Sequence, residues 1–236
     1  MVTLTAQDIM ELFQKNTIEL SKIEELVVER FTEKELKLAT AESCTGGLIS
    51  ERITRVSGAS AMFDCGVCSY ANEIKEKVLG VRHDTLQILG AVSAETAMQM
   101  AEGVKKLSGA DIAVSTTGIA GPTGGTAQKP VGLVYLGVCT DAGAYAIQLL
   151  LGEENSRDYI RAMASSAALF TALSEAVKFC ADRRFCQAFP RGWFGISSVV
   201  VKIQRNMMIS CRISTSKRAL FSSAVVKIQA NFTIVL

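Results

Sequence analysis

The segment SGASAMFDCGVCSYANEIKEKV, residues 57–78, gathers serine hydroxyls, one tyrosine, two lysines and a CxxC pair. A hydroxyl nucleophile needs a base to take its proton. His83 is the one histidine of the chain. A Ser-His-Asp arrangement would have to use it, and a metal site built from several histidines is excluded. Lysine is the remaining strong base. Its ordinary pKa is about 10.4, and lowering that by ~3 units takes about 4 kcal/mol of bias against the charged form. Burial or a neighbouring cation can supply this bias. Cys65 and Cys68 draw the eye as a redox pair, but they fall in a segment that reads as a strand. Residues three apart in a strand point to opposite faces, and a redox CxxC sits at a helix N-terminus, where the thiol pKa is lowered. Both read as packing, as does Cys44. His83 and Lys77 read as solvated.

Two further stretches suit anions or a developing negative charge. TGIAGPTGG, residues 117–125, is a glycine- and proline-rich loop with exposed amides. It is not a Walker P-loop, because no Gly-Lys-Ser/Thr ending follows. SCTGG, residues 43–47, marks a strand-to-helix turn. Ser43 there resembles a nucleophile elbow; capping or ligand binding is its other reading. Thr45 is the expected helix cap.

These residues must be positioned by a scaffold, and the hydrophobic patterning supplies one. A helix is expected over 7–32, then a strand in KLATAES and a helix from CTGGLISERITRV. CGVCSY reads as a strand and NEIKEKVLG as a helix closed by Gly80. HDTLQILG reads as a short helix capped by Asp84, and SAETAMQMAEGVKKLSG as a longer one opened by Ser93. ADIAVSTTG is a buried strand. VGLVYLGVCT and AYAIQLLLG are neighbouring strands, close enough for a hairpin, and a long helix spans 156–178. Strands alternating with helices predict a three-layer α/β/α domain; the hairpin makes its sheet mixed rather than parallel.

Composition sets further bounds. No run of eighteen apolar residues occurs, so no membrane span is expected. The first residues carry early acidic side chains and do not read as a secretory signal. Seven scattered cysteines do not form a disulfide framework, and a reducing, cytoplasmic setting is expected. Charge is asymmetric. Residues 1–178 hold 16 Lys and Arg against 22 Asp and Glu, a net of −6. Residues 179–236 hold 9 against 1, a net of +8. The predicted division is a catalytic-type domain over 1–178 and a basic, poorly ordered C-terminal extension over 179–236. That extension repeats itself: SSVVVKIQRN (197–206) and SSAVVKIQAN (222–231). The VVKIQ segments distantly resemble IQ-type calmodulin-binding helices, without the arginine-glycine pair that should follow. A calmodulin-like partner for this segment is the alternative to the poorly ordered extension.

Five blocks in order, TAESCTGGLIS, YANEIKEKVLGV, GAVSAETAMQMAEGV, STTGIAGPTGG and KPVGLVYLGV, closely resemble the C-terminal domain of the competence-damage-inducible CinA proteins. That domain also occurs as a stand-alone nicotinamide-nucleotide amidase. The resemblance spans about residues 7–178. It implies metal-independent, cofactor-free hydrolysis of the carboxamide of nicotinamide mononucleotide to nicotinate mononucleotide and ammonia by a serine–lysine pair with a tyrosine nearby. Carried onto this chain, it implies Ser60 as nucleophile, with Ser43 as its competitor, Lys75 as base and Tyr70 as relay or orienting group. Thr117, Arg157, Ser43, Thr45, Gly118 and Gly121 are the implied substrate contacts. Arg157 and the glycine-rich loop are candidates to cradle the phosphate. The cationic pyridinium of such a substrate would itself help to neutralise Lys75. A homo-oligomer is implied, with no nucleic acid or membrane partner. Two alternatives stay open: a non-catalytic nucleotide-binding or interaction module, and an amidase acting on another substrate.

Overall fold

The computed structural model describes residues 1–187, 200–203, 207–210, 225–228 and 232–235. The chain divides into two compact units, Met1–Ala181 and Asp182–Leu236.

The first unit is built on one mixed sheet. Its strands are β1 (Val2–Thr5), β2 (Leu38–Glu42), β3 (Phe63–Cys68), β4 (Ile112–Gly118), β5 (Leu133–Thr140) and β6 (Gly143–Leu150), in the order β1-β6-β5-β4-β2-β3. β2 runs parallel to β3 and to β4, and β1 parallel to β6. The β4–β5 and β5–β6 pairs are antiparallel, the latter being the hairpin expected from the two adjacent apolar runs. Helices cover both faces. Helices α1 (Ala6–Lys15), α2 (Ile23–Glu33), α3 (Leu48–Thr54) and α7 (Arg157–Gln187) pack one core, which includes Phe13, Phe31, Ile49 and Ile160. Helices α4 (Asn72–Leu79), α5 (His83–Ile88) and α6 (Ala94–Ser108) supply a second, which includes Leu79, Leu86 and Met100. The three-layer α/β/α architecture is therefore present.

Local chemistry accounts for most boundaries. Ser93 caps α6 by accepting from the Thr96 amide, and Gly80 and Gly109 close α4 and α6 in the left-handed conformation. Three expectations are corrected. The helix over 7–32 is two helices, because Asn16 ends α1 and Thr17 turns the chain at φ 57°. Helix α5 begins at His83, with Arg82 rather than Asp84 in the cap position. Helix α3 is entered through Gly47 at φ 92°, not capped by Thr45, for a reason that belongs to the site. Strand β1 was not foreseen: four residues beside β6 give too short a pattern.

Arg52 of α3 ties this side together. Its guanidinium donates to Ser165 Oγ (2.8 Å) and Ser166 Oγ (2.9 Å) of α7, to the Leu20 carbonyl (3.1 Å) and to Glu24 Oε2 of α2 (2.7 Å). Only about a tenth of either charged side chain is exposed. The planar fork matches four acceptors that an ammonium cannot reach together. Arg52→Lys is expected to lower the unfolding free energy by about 2–4 kcal/mol, read as a lower urea midpoint with an unchanged slope. An unmoved midpoint would show that the network is dispensable.

In the second unit two antiparallel pairs are described: Val200–Ile203 with Met207–Ser210, and Val225–Ile228 with Phe232–Val235. Both copies of the VVKI echo are thus strands, which corrects the helical IQ-type reading. Two adjacent β-branched valines favour the pleated backbone. The expectation of poor order over 179–236 otherwise falls largely outside the described residues.

Candidate active site

Parallel pairing of β2 and β3 brings their C-terminal ends side by side, with Glu42 opposite Cys68. The pairing continues one residue further: the Ser69 amide donates to the Glu42 carbonyl (2.8 Å), and the Ser43 amide to the Thr116 carbonyl on β4 (2.9 Å). Ser43 thus leaves the sheet at its carboxyl edge, where open α/β sheets place their sites.

Glu42 fixes the turn that follows. Its side chain is fully buried. Oε2 accepts from Thr45 Oγ1 (2.7 Å) and the Ile49 amide (3.0 Å), and Oε1 from the Ser50 amide (2.8 Å) and Ser50 Oγ (2.7 Å). An acidic group on the first turn of a helix satisfies its orphan amides and suits its dipole. This glutamate therefore does for α3 what a cap would do, and Thr45 is free to be a strut. Thr45 Oγ1 meets Thr116 Oγ1 at 2.7 Å, and the Thr45 carbonyl accepts from Arg161 Nη2 of α7 (2.7 Å). With its only proton given to Glu42, the Thr45 hydroxyl has no role as a substrate donor. The amides of Cys44 and Thr45 donate to no backbone carbonyl among the described residues.

Lys75 of α4 reaches this turn from the other layer. It is 1% exposed. Nζ lies 3.0 Å from Ser43 Oγ, 2.7 Å from the Ser69 carbonyl and 3.2 Å from the Tyr70 carbonyl. Burial holds its pKa below the ordinary lysine range. Among the described residues no carboxylate pairs with it. As they stand, all three neighbours accept from Nζ; in the neutral amine two N–H groups would serve the two carbonyls and the lone pair would face the Ser43 hydroxyl proton. The arrangement can draw a proton from Ser43 and return it.

This geometry corrects the expected Ser60–Lys75 pair. Ser60 is exposed in a short 3-10 turn, Ala59–Ala61, before β3, whereas Lys75 follows the far end of that strand. Six strand residues separate the two ends by roughly 20 Å. The three partners of the lysine are Ser43, Ser69 and Tyr70, and the serine among the candidates that it meets through a hydroxyl is Ser43.

The remaining candidates divide. The Tyr70 side chain is 66% exposed, so its carbonyl, not its hydroxyl, orients Lys75. The hydroxyl stands 3.5 Å from Arg157 Nη2, and Arg157 Nη1 donates to the Gly121 carbonyl (2.8 Å). Tyr70, Arg157 and Gly121 are therefore brought together, linked to Ser43 through Lys75. Thr117 donates its hydroxyl proton to the Ala91 carbonyl (2.6 Å) and is left with acceptor capacity only. Gly118 answers to packing: a Cβ there would stand 2.6 Å from the Leu133 carbonyl oxygen. Cys44 is buried and burial pushes its thiol up to about 12, which keeps it protonated and inert. Cys65 and Cys68 are free, and exposure alternates along β3 as the opposite-face reading requires.

Sequence reasoning missed Glu42, Thr116 and Arg161. An acidic residue ending an otherwise apolar strand, LATAE, was the available signal for Glu42: a charge there must be buried with partners. Thr116 and Arg161 gave no local signal.

Comparison with known proteins agrees with this architecture. Residues 20–176 match the CinA C-terminal domain. A protein of Thermoanaerobacter sp. (strain X514) with a competence-damage inducible name is 54% identical over 140 residues, 59% of this chain and 34% of that protein. A CinA-like protein of Kosmotoga olearia is 50% identical over 147 residues, 62% of this chain and 35% of that protein. The chain thus spans about a third of the length of the curated relatives it matches. Among solved structures, the competence/damage inducible protein CihA of Agrobacterium tumefaciens superposes with a TM-score of 0.63 at 42% identity, covering 66% of this chain and 95% of that one. A CinA superfamily protein of Klebsiella pneumoniae gives 0.64 at 28% identity, covering 68% and 99%. With the same domain matched over most of the first unit and the same fold in solved relatives, the chain belongs to the CinA family through its C-terminal domain.

Proposed function

We propose that this chain is a serine–lysine amidase that hydrolyses the carboxamide of nicotinamide mononucleotide. The observation that carries the reading is the buried Lys75 amine 3.0 Å from Ser43 Oγ, with no carboxylate paired to it among the described residues. Ser43 attacks the carboxamide carbon while its proton passes to Lys75. The amides of Cys44 and Thr45, which donate to no backbone carbonyl among the described residues, are the donors available to the oxyanion. Lys75 returns the proton to the departing nitrogen, ammonia leaves, and a water activated by the same amine releases nicotinate mononucleotide. Arg157 and the exposed Tyr70 ring stand beside this pair, suited to the phosphate and the pyridinium face.

The test is ammonia release from nicotinamide mononucleotide by the full chain, followed against pH. Only neutral Lys75 is a base. Because burial lowers its pKa, activity should rise with pH through a midpoint below the ordinary lysine value of about 10.4. The Lys75→Met variant should show no such limb. Ammonia from a different amide but not from this nucleotide would retain the mechanism and replace the substrate. No ammonia from any member of an amide panel would overturn the reading.

A further inference from the structure

Ser69 is fully buried, and its hydroxyl is the buried side-chain polar atom left without a hydrogen bond among the described residues. Its place is specific. It extends β3 by one residue, its amide bound to the Glu42 carbonyl, and so stands beside Ser43 across the β2–β3 pairing. Its carbonyl makes the shortest contact of Lys75 Nζ, at 2.7 Å. A buried hydroxyl that bonds to nothing is unfavourable and calls for an explanation.

We propose that Ser69 Oγ is the reserve acceptor for the Lys75 ammonium, a positioning residue for the reaction. This rests on the serine–lysine reading above. With Lys75 in its basic, neutral form, two N–H groups serve the Ser69 and Tyr70 carbonyls, the lone pair faces the Ser43 hydroxyl, and Ser69 Oγ is unused. When Ser43 Oγ bonds to the carboxamide carbon, its proton moves to Nζ and the carbonyl electron pair moves onto the oxygen. The ammonium now has three N–H groups, and Ser43 Oγ, spent in the new bond, has become a poor acceptor. Ser69 Oγ belongs to the residue whose carbonyl already touches the ammonium, and it takes the third N–H. The carbon–nitrogen bond then breaks, its electron pair accepts the proton from Nζ, and ammonia departs. Lys75 is neutral again and Ser69 is released.

The titratable groups that act on Lys75 are the thiols of Cys44, from the turn after β2, and Cys68, from β3. The nearest carboxyl along β2, Glu42, is occupied by its four donors to α3.

Two measurements test the proposal. The first needs no turnover. Lys75 is titrated by NMR of its labelled ε-methylene in Ser43→Ala and in Ser43→Ala/Ser69→Ala, where the Ser43 acceptor is already gone. The expected result is a midpoint about one unit lower in the double variant; equal midpoints overturn the proposal. The second is steady-state ammonia release. Ser69→Ala is expected to lower kcat about 10-fold with KM near that of the parent, because the contact forms only with the ammonium. Ser69→Thr should restore it, and a kcat within twofold of the parent in Ser69→Ala overturns the proposal. If Ser69→Ala does not fold, Ser69→Cys keeps the volume with a weak acceptor and carries the same expectations. A parent chain that releases no ammonia counts against the amidase reading alone, and the titration then decides the role of Ser69.

Discussion

Ser43→Ala is expected to reduce ammonia release from nicotinamide mononucleotide on the order of 10³-fold or more, whereas Ser60→Ala should stay within about twofold of the parent. The contrast follows from the sheet. Ser43 leaves β2 at the carboxyl edge and meets Lys75 at 3.0 Å, while Ser60 is exposed at the opposite end of β3. Parallel kinetics of the two variants, with thermal melts to show that both fold, check the assignment. Loss of activity in Ser60→Ala with retention in Ser43→Ala would reverse it. Equal retention in both would remove serine nucleophilic catalysis altogether.

Glu42→Ala is expected to be among the most destabilising single substitutions in the first unit, at about 3–5 kcal/mol. Four donors converge on its carboxyl group in a site closed to water. Removing it strands two amides of α3, the Ser50 hydroxyl and the Thr45 hydroxyl, and deprives the helix start of its negative partner. The melting temperature should fall by roughly 10 °C for a unit of this size. Glu42→Gln keeps one carbonyl oxygen but turns an NH₂ toward donors, and should lose about half as much. Calorimetry of the three proteins checks the order. A melting temperature unchanged in Glu42→Ala would mean that the turn is held by Arg161 and Thr116 alone.

The two substitutions act on different levels of the same turn. Ser43 is the residue to which the proposed chemistry is assigned. Glu42, one residue earlier and pointing into the opposite layer, carries the fold without touching the proposed substrate. Strand alternation separates the roles: Glu42 faces α3, and Ser43 faces α4 and its lysine.

Much of the scaffold was legible along the chain. Apolar periodicity, the Ser93 cap, the closing glycines and the two adjacent β-branched runs are local signals, and they define the helices, most strands and the mixed sheet without reference to distant residues. The residue types of the site were legible too, because a chain with one histidine leaves lysine as the strong base beside its serines. What local signals missed were the short strand β1, the break at Thr17 and the cap supplied by Glu42, each dependent on a partner elsewhere in the fold.

By itself, then, the amino-acid sequence determined the layers and the family, and it pointed to Lys75 as the proposed base. Only the tertiary structure showed which serine hydroxyl that lysine meets. The family resemblance pointed to Ser60, fifteen positions before Lys75, but a strand intervenes, and a strand carries its two ends apart by its full length. Ser43 is thirty-two positions away. Parallel pairing of β2 with β3 brings their carboxyl ends together, and the lysine of the helix that follows β3 meets the serine that follows β2.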